Sequence, residues 1–98
     1  MRGKVTIIGG AGRVGSNSAY ALQLGRACEE IVLVDAAAEA ARGEALDLSH
    51  GRAAAGGPRI RAGDYAEAAG SDLIVVTAGL RRRPEESRLE LIGRNAAL

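Results

Sequence analysis

Phenylalanine and tryptophan are absent from this 98-residue sequence, and tyrosine occurs only twice. Apolar residues still make up 47% of the chain, and alanine fills many of those positions. Each buried side chain therefore removes little area from water. A chain of this length forms at most one small domain and buries a smaller fraction of its surface than a longer chain. The composition predicts a tight layer of helices on a sheet rather than a self-sufficient core.

A single cysteine, Cys28, excludes an internal disulfide bond and the multi-cysteine zinc patterns, so no metal site is expected. Free cysteine most often acts as a small hydrophobic residue, which is the role we expect here. No run approaches the ~18 apolar residues of a membrane span, and a net charge of +1 argues against a nucleic-acid partner. A strand is predicted almost at the first residue, which leaves no room for a signal peptide. These features predict a cytoplasmic protein without a membrane partner.

Short apolar runs alternate with longer amphipathic stretches along the chain. Strands are predicted over 4–8, 31–34, 59–62 and 72–77, helices over 12–24 and 36–49, one or two helical turns over 64–69, and loops over 53–58 and 78–86. The sequence "SRLE", residues 87–90, is a capping box that begins a further helix. Such alternation builds a parallel sheet with right-handed crossovers. The predicted fold class is therefore α/β.

Glycines are expected to end both helices. Gly25 would supply the left-handed residue after the first helix, and Gly51 follows the second. The spacing of small and apolar residues predicts which face of each helix is buried. The predicted stripes are Val14, Ser18, Ala21 and Leu22 in the first helix, and Ala38, Ala41, Ala45 and Leu48 in the second.

Four glycines in seven residues, "GGAGRVG", follow the first predicted strand. The free amide groups and the positive dipole end of the next helix attract phosphate, and glycine lets the backbone approach it closely. Two registers fit equally well, one starting at Gly10 and one, with a turn longer by one residue, starting at Gly9. The turn predicts a dinucleotide pyrophosphate site, and its candidate cofactor-binding residues are Gly9, Gly10, Gly12, Arg13, Val14 and Gly15.

Asp35 ends the second predicted strand, 20 residues after Gly15. A carboxylate at this position can accept hydrogen bonds from both ribose hydroxyls of an adenosine. It also repels a 2′-phosphate, so the sequence favours NAD over NADP. The alternative is that Asp35 only caps the following helix.

Two other phosphate-binding classes fit less well. A mononucleotide P-loop carries lysine and then serine or threonine after its last glycine, where this chain has Ser16 and Asn17. A methyltransferase that uses S-adenosylmethionine shares an acidic residue after the second strand. It usually carries another before its glycines, where this chain has Ile7 and Ile8. The residues therefore favour a dinucleotide.

Several segments together resemble the lactate/malate dehydrogenase family, over essentially all 98 residues. The stretch 4–22 is similar to the family's cofactor turn, in a glycine form seen in many malate dehydrogenases. "IVLVD" is similar to its ribose-binding strand and "GEALDLSHG" to the end of its second helix. "VVTAGLRRRPEESRLELIGRNA", residues 75–96, resembles its substrate loop and the helix that follows. The resemblance implies a Rossmann-type parallel sheet, an oxidoreductase and NAD as cofactor.

The resemblance also implies roles for individual residues. Arg82 occupies the position that sorts substrates, where glutamine goes with lactate or pyruvate and arginine with the second carboxylate of malate or oxaloacetate. Arg88 matches the loop arginine that polarises the reacting carbonyl. Asn95 matches a cofactor contact, and residues 77–79, which include Gly79, match the turn beside the nicotinamide-side ribose. The implied substrate is therefore a small dicarboxylate, malate or oxaloacetate.

Some features of the arginine loop fit the family less well. The family usually carries proline where this chain has Arg81 and glycine where it has Glu85. We expect these departures to affect the rate of loop closure more than the class of substrate. The alternative interpretation of residues 81–83 is a solvated charge run, which the neighbouring glutamates make less favourable.

The residues that complete the family's chemistry have no counterpart in this sequence. His50 is the only histidine, but it lies at the end of the second predicted helix, where we expect a surface cation rather than a base. The resemblance therefore implies that residues 1–98 are the N-terminal part of a dinucleotide-binding domain, without the catalytic C-terminal domain. Such a chain is expected to be inactive alone and to form a homo-oligomer when full length. The alternatives are a fragment of an L-lactate dehydrogenase and a non-catalytic nucleotide-binding module.

Overall fold

The computed structural model of the chain describes residues 3–77. The helix predicted to begin at Ser87 and the loop predicted over 78–86 lie outside the described residues. The same holds for four candidate site residues, which are Gly79, Arg82, Arg88 and Asn95.

The described residues form a four-stranded parallel sheet with two α-helices and one short 3₁₀ segment. In chain order these are β1 (Lys4–Ile8), α1 (Arg13–Gly25), β2 (Glu30–Val34), α2 (Ala38–Ala55), β3 (Arg59–Gly63), the 3₁₀ segment (Tyr65–Ala68) and β4 (Leu73–Val76). The strands lie in the order β3-β2-β1-β4, with every neighbouring pair parallel. This is the strand order of the first half of a doubly wound sheet. The predicted Rossmann-type α/β fold is confirmed.

The two central strands are buried on both faces, as their continuous β-branched runs predict. Val5 and Ile7 of β1 and Ile31 and Leu33 of β2 face the two helices and are almost completely buried. On the opposite face Thr6, Val32 and Val34 are equally inaccessible. Because alanines such as Ala19, Ala41 and Ala45 cover the helix-facing side, the helices pack closely on the sheet.

The structure corrects the predicted face and end of α1. Its buried residues are Gly15, Ala19 and Gln23. Of the predicted stripe, Val14 is 66% exposed and Ala21 is exposed too, whereas Leu22 is partly buried against the core. Gly15 and Ala19 face the sheet because the helix passes very close to the end of β1. The pattern of hydrophobic residues alone does not predict this close approach. The left-handed residue is Arg26, at φ 50°, and Gly25 is the last helical residue. Amide hydrogen bonds to the Leu22 and Gln23 carbonyls hold Arg26 in this conformation.

The second helix is longer than predicted. It continues through Gly51 to Ala55, so the loop predicted over 53–58 begins only at Gly56, which has φ 74°. Tertiary packing accounts for the extension: Gln23 Nε2 donates to the Leu48 carbonyl at 2.6 Å, and the Gln23 amide lies beside Gly51. The predicted stripe is confirmed at Ala41 and Ala45, whereas Ala38 is exposed.

Cys28 is buried between α1 and β2, as expected for a small hydrophobic residue. Burial raises the pKa of its thiol because it disfavours the charged thiolate. The thiol therefore stays protonated and poorly nucleophilic in the folded chain.

A network of charged side chains ties the 3₁₀ segment to the sheet. Arg61 of β3 donates to Glu67 at 2.7 Å and to Glu30 at 3.2 Å, and Lys4 Nζ lies 3.6 Å from Glu67. The hydrogen bond from Arg61 lowers the pKa of Glu67. This network fixes the crossover into β4, the strand that runs alongside β1.

Within residues 3–77, β4 pairs with β1 on one side only. Its side chains Leu73, Ile74 and Val76 are exposed on the two faces of the sheet. An unpaired apolar edge of this kind invites association with a further strand.

Candidate functional site

The glycine turn, residues 9–12, connects the end of β1 to the start of α1. The amides of Gly9 and Gly10 donate to the Val34 carbonyl at 2.7 and 3.1 Å, and the Gly12 amide donates to the Gly9 carbonyl at 3.0 Å. The turn therefore leans against the end of β2. This places it at the carboxyl edge of the sheet, where doubly wound folds bind their ligands.

Three of the four glycines are required by the fold itself. Gly9 has φ 90°, a left-handed conformation that side chains disfavour. A Cβ on Gly10 would lie 2.8 Å from Leu33 Cβ, and a Cβ on Gly15 would lie 2.2 Å from the Gly9 carbonyl oxygen. Because Gly9 directly follows β1 and its carbonyl oxygen lies against both Gly12 and Gly15, the geometry favours the longer register that starts at Gly9.

Gly12 differs from the other three glycines. It is the N-cap of α1 with φ −76° and ψ 165°, a conformation open to any residue, and its Cβ would meet only the Gly9 carbonyl oxygen at 3.3 Å. No side chain caps α1, and its first turn contains no acidic residue. The first-turn amides, those of Arg13 and Val14 included, thus have no intrahelical acceptor. An unobstructed helix start of this kind favours an anion.

Asp35 follows β2 directly, and its carboxylate turns toward the glycine turn. Oδ2 accepts from the Ala11 amide at 3.1 Å, and Oδ1 accepts from the Ala37 amide at 3.0 Å. The N-cap of α2 is Ala37, and no side chain caps that helix. Asp35 therefore bonds both the start of α2 and the glycine turn, so its contacts are not confined to the helix that follows it.

Thr77 reaches the same turn from β4. Its amide donates to the Ile8 carbonyl at 2.8 Å, and its hydroxyl lies 3.1 Å from the Ile8 carbonyl oxygen and 3.3 Å from that of Gly9. Sequence analysis missed both this contact and the Ala11 amide, because each joins residues far apart in the chain. The only available signal was a threonine at the end of the strand predicted over 72–77.

The structure brings the glycine turn and Asp35 together. It keeps His50, which was not expected to take part in the chemistry, away from them. Arg13 and Val14 are exposed at the start of α1, beside the turn. His50 is exposed near the other end of α2, as expected for a surface residue. The binding role of each turn residue stays a prediction.

The strand order, the glycine turn against an uncapped helix and the carboxylate at the end of β2 define a dinucleotide-binding domain of the Rossmann type. The chain belongs to the lactate/malate dehydrogenase family, because the model of the lactate/malate dehydrogenase NAD binding domain matches residues 3–98. Its cofactor is NAD. The uncapped start of α1 and the acceptor beside it suit the pyrophosphate and adenosine ribose of that cofactor.

Proteins named L-lactate dehydrogenase and proteins named malate dehydrogenase both resemble the chain. L-lactate dehydrogenase 1 of Clostridium acetobutylicum is 47% identical over 92 residues, which are 94% of this chain and 29% of that protein. The ligand-bound minor L-lactate dehydrogenase of Enterococcus mundtii is 39% identical with a TM-score of 0.91, over 98% of this chain and 31% of its own. The malate dehydrogenase of Archaeoglobus fulgidus in complex with NADH is 46% identical with a TM-score of 0.85, over 96% and 32%.

The chain spans less than a third of the length of each of these relatives. Within residues 3–77, no helix has the length and apolar character needed to cross a bilayer.

Proposed function

We propose that this chain is the N-terminal, adenosine-binding part of an NAD-dependent dehydrogenase that interconverts malate and oxaloacetate. The observation that carries the proposal is the Asp35 carboxylate, which lies at the end of β2 within 3.1 Å of the Ala11 amide. In this geometry the carboxylate would serve as the ribose acceptor next to a turn suited to a pyrophosphate. The name of the matching family supplies the reaction type, hydride transfer to or from a small 2-hydroxy acid.

The adenosine half of NAD would contact four residues of the described site. The first-turn amides of Arg13 and Val14 would donate to the pyrophosphate, and Gly12 would leave room for its approach. A carboxylate offers about four acceptor positions, and Asp35 uses two of them, on Ala11 and Ala37. The remaining two match the two ribose hydroxyls, so binding requires no loss of the bonds that hold the turn.

The substrate side of the proposal rests on residues outside the described range. Arg82 would grip the second carboxylate of malate or oxaloacetate, since a guanidinium binds a carboxylate through two parallel hydrogen bonds. Arg88 would polarise the reacting carbonyl and stabilise the charge that develops on its oxygen. Gly79 and Asn95 would contact the nicotinamide half of NAD.

Replacing Arg82 by glutamine in the full-length protein tests the assignment of the substrate. We expect Arg82→Gln to shift the ratio of kcat/KM for oxaloacetate over pyruvate toward pyruvate by at least about tenfold, since a charge-assisted hydrogen bond of roughly 1.5–3 kcal/mol is lost. Arg83→Gln is the matched control, because it removes the same charge from the neighbouring position. An unchanged ratio in Arg82→Gln, or an equal shift in Arg83→Gln, would remove Arg82 from its assigned role.

The alternative substrate is lactate or pyruvate. It is favoured by the 47% identity to a protein named L-lactate dehydrogenase 1. In that case the full-length protein would already prefer pyruvate, and the arginine loop would be a solvated charge run. A non-catalytic nucleotide-binding module is the other alternative, and it predicts no hydride transfer in any form of the protein.

We further propose that the catalytic histidine, its aspartate partner and the arginine for the substrate's own carboxylate belong to a second part of a longer chain. The apolar edge of β4, which is unpaired within residues 3–77, supports this proposal, since further strands would cover it. A cytoplasmic location and a homo-oligomeric full-length protein are part of the same proposal.

The 98-residue chain alone is therefore expected to leave NADH unoxidised in the presence of oxaloacetate. Absorbance at the NADH band measures this directly, with buffer as the reference and pyruvate as the second substrate. Oxidation above the buffer rate with either substrate would show that these residues suffice for turnover.

A further inference from the structure

The hydroxyl of Thr77 lies against the glycine turn rather than in solvent. Its oxygen is 3.1 Å from the Ile8 carbonyl oxygen and 3.3 Å from the Gly9 carbonyl oxygen, with the side chain half-buried. A hydroxyl carries one hydrogen, so a single donor is shared between two successive carbonyls. Those carbonyls span the point where β1 ends and the turn begins.

The Gly9 carbonyl is the centre of the turn. It accepts from the Gly12 amide at 3.0 Å and from the Thr77 hydroxyl, which together use both of its acceptor positions. The α-carbon of Gly15 packs against the same oxygen, since a Cβ there would approach it to 2.2 Å. The direction of this one carbonyl therefore fixes where Gly12 and the start of α1 lie.

The turn is held from both neighbouring strands. On the β2 side, Asp35 accepts from the Ala11 amide. On the β4 side, Thr77 donates to the Gly9 carbonyl. A rigid turn matters for binding because a ligand that must first order its site binds more weakly.

We propose that Thr77 is a positioning residue for the dinucleotide turn. Its hydroxyl orients the Gly9 carbonyl, and through Gly12 it presents the first-turn amides of α1 to the pyrophosphate. This role rests on the proposed function of the turn, but it needs no contact between Thr77 and the cofactor. Thr77, at the end of β4, would thus contribute indirectly to binding the adenosine half of NAD.

The test uses the 98-residue chain, ADP-ribose as the probe and three variants. Thr77→Val removes the hydroxyl and keeps the shape, whereas Thr77→Ser keeps the hydroxyl. Thr6→Val is the matched control, because it removes a threonine hydroxyl bonded to Ser71 at 2.5 Å, in the middle of β1 and away from the turn. Titration calorimetry measures the Kd for ADP-ribose, and NMR measures hydrogen exchange of the Gly12 amide without ligand.

We expect Thr77→Val to weaken ADP-ribose binding about fivefold and to speed Gly12 exchange by a similar factor, the effect of one net hydrogen bond. Thr77→Ser should stay within about twofold of the unmodified chain in both measurements. Thr6→Val should lower the urea midpoint of unfolding without changing the Kd for ADP-ribose or the exchange rate of the Gly12 amide.

Three results would overturn the inference: unchanged Gly12 exchange in Thr77→Val, an equal change in Thr6→Val, or a fivefold loss of binding in Thr77→Ser. If Thr77 donates to Ile8 alone, Thr77→Val lowers stability but leaves Gly12 exchange as it was. Failure of the unmodified chain to bind ADP-ribose would instead overturn the proposed function. In that case Gly12 exchange still decides whether Thr77 orders the turn.

Discussion

Gly15→Ala is expected to lower the free energy of unfolding by about 3 kcal/mol, the upper part of the usual range for overpacking. The added Cβ would lie 2.2 Å from the Gly9 carbonyl oxygen and 2.9 Å from Thr77 Oγ1. Both partners are held by other hydrogen bonds, so neither can move without disturbing the turn. Urea unfolding followed by circular dichroism measures the change.

Gly43→Ala is the matched control for this substitution. Gly43 also lies in a helix, but apart from the backbone of that helix a Cβ there would meet no heavy atom of the described residues within 4 Å. Alanine has the higher helix propensity, so we expect Gly43→Ala to raise the free energy of unfolding by up to about 1 kcal/mol. Equal effects of the two substitutions would show that α1 does not pass as close to β1 as the structure has it.

Asp35→Asn is expected to weaken NAD binding about 30-fold, because the ribose hydroxyls lose a charged acceptor. The single asparagine oxygen can still accept from the Ala11 amide, so the turn keeps that support, whereas the bond from the Ala37 amide is lost because the side-chain nitrogen is a donor. NADP should lose less affinity than NAD or gain some, because the repulsion of its 2′-phosphate disappears with the charge.

Titration of the chain with NAD and NADP measures both effects. Asp47→Asn, an exposed position on α2, removes the same charge away from the turn and should leave both affinities unchanged. An unchanged preference for NAD over NADP in Asp35→Asn would contradict the role given to this carboxylate.

The parts of the fold that the sequence predicts are those with local causes. The runs "VTII" and "IVLV" are β-branched except at Leu33 and apolar except at Thr6, and burial on both faces follows from that pattern. The position of Asp35 next to the glycine turn follows from parallel pairing of β1 and β2, because both strands end at the same edge. Right-handed crossovers predict the parallel sheet, but they do not predict that β4 pairs with β1 rather than with β3.

The predictions that were wrong depend on packing between distant segments. The buried face of α1 is set by the contact of Gly15 with the end of β1, so Val14 points outward although it is apolar. Gly51 does not end α2, because Gln23 of α1 supports the additional turn. Arg26 takes the left-handed position expected of glycine because its amide is bonded to two carbonyls of α1.

Within the site, sequence reasoning identified the turn and the carboxylate but not the bonds between them. The Ala11 and Thr77 hydrogen bonds join residues 24 and 68–69 positions apart, and no local pattern reports such contacts. Ala11 contributes only its backbone amide, and the identity of a residue does not show which partner its amide bonds. These bonds explain how the turn keeps its shape before any ligand arrives.

The most direct test of the whole account is an NMR titration of the isotope-labelled 98-residue chain with ADP-ribose. We predict that the amide shifts of residues 9–15 and of Asp35 change together with a single Kd, while those of His50 and Arg61 stay in place. Chemical-shift changes elsewhere in the chain without changes at the glycine turn would contradict the assignment of the turn and Asp35 as the binding site for the adenosine diphosphate.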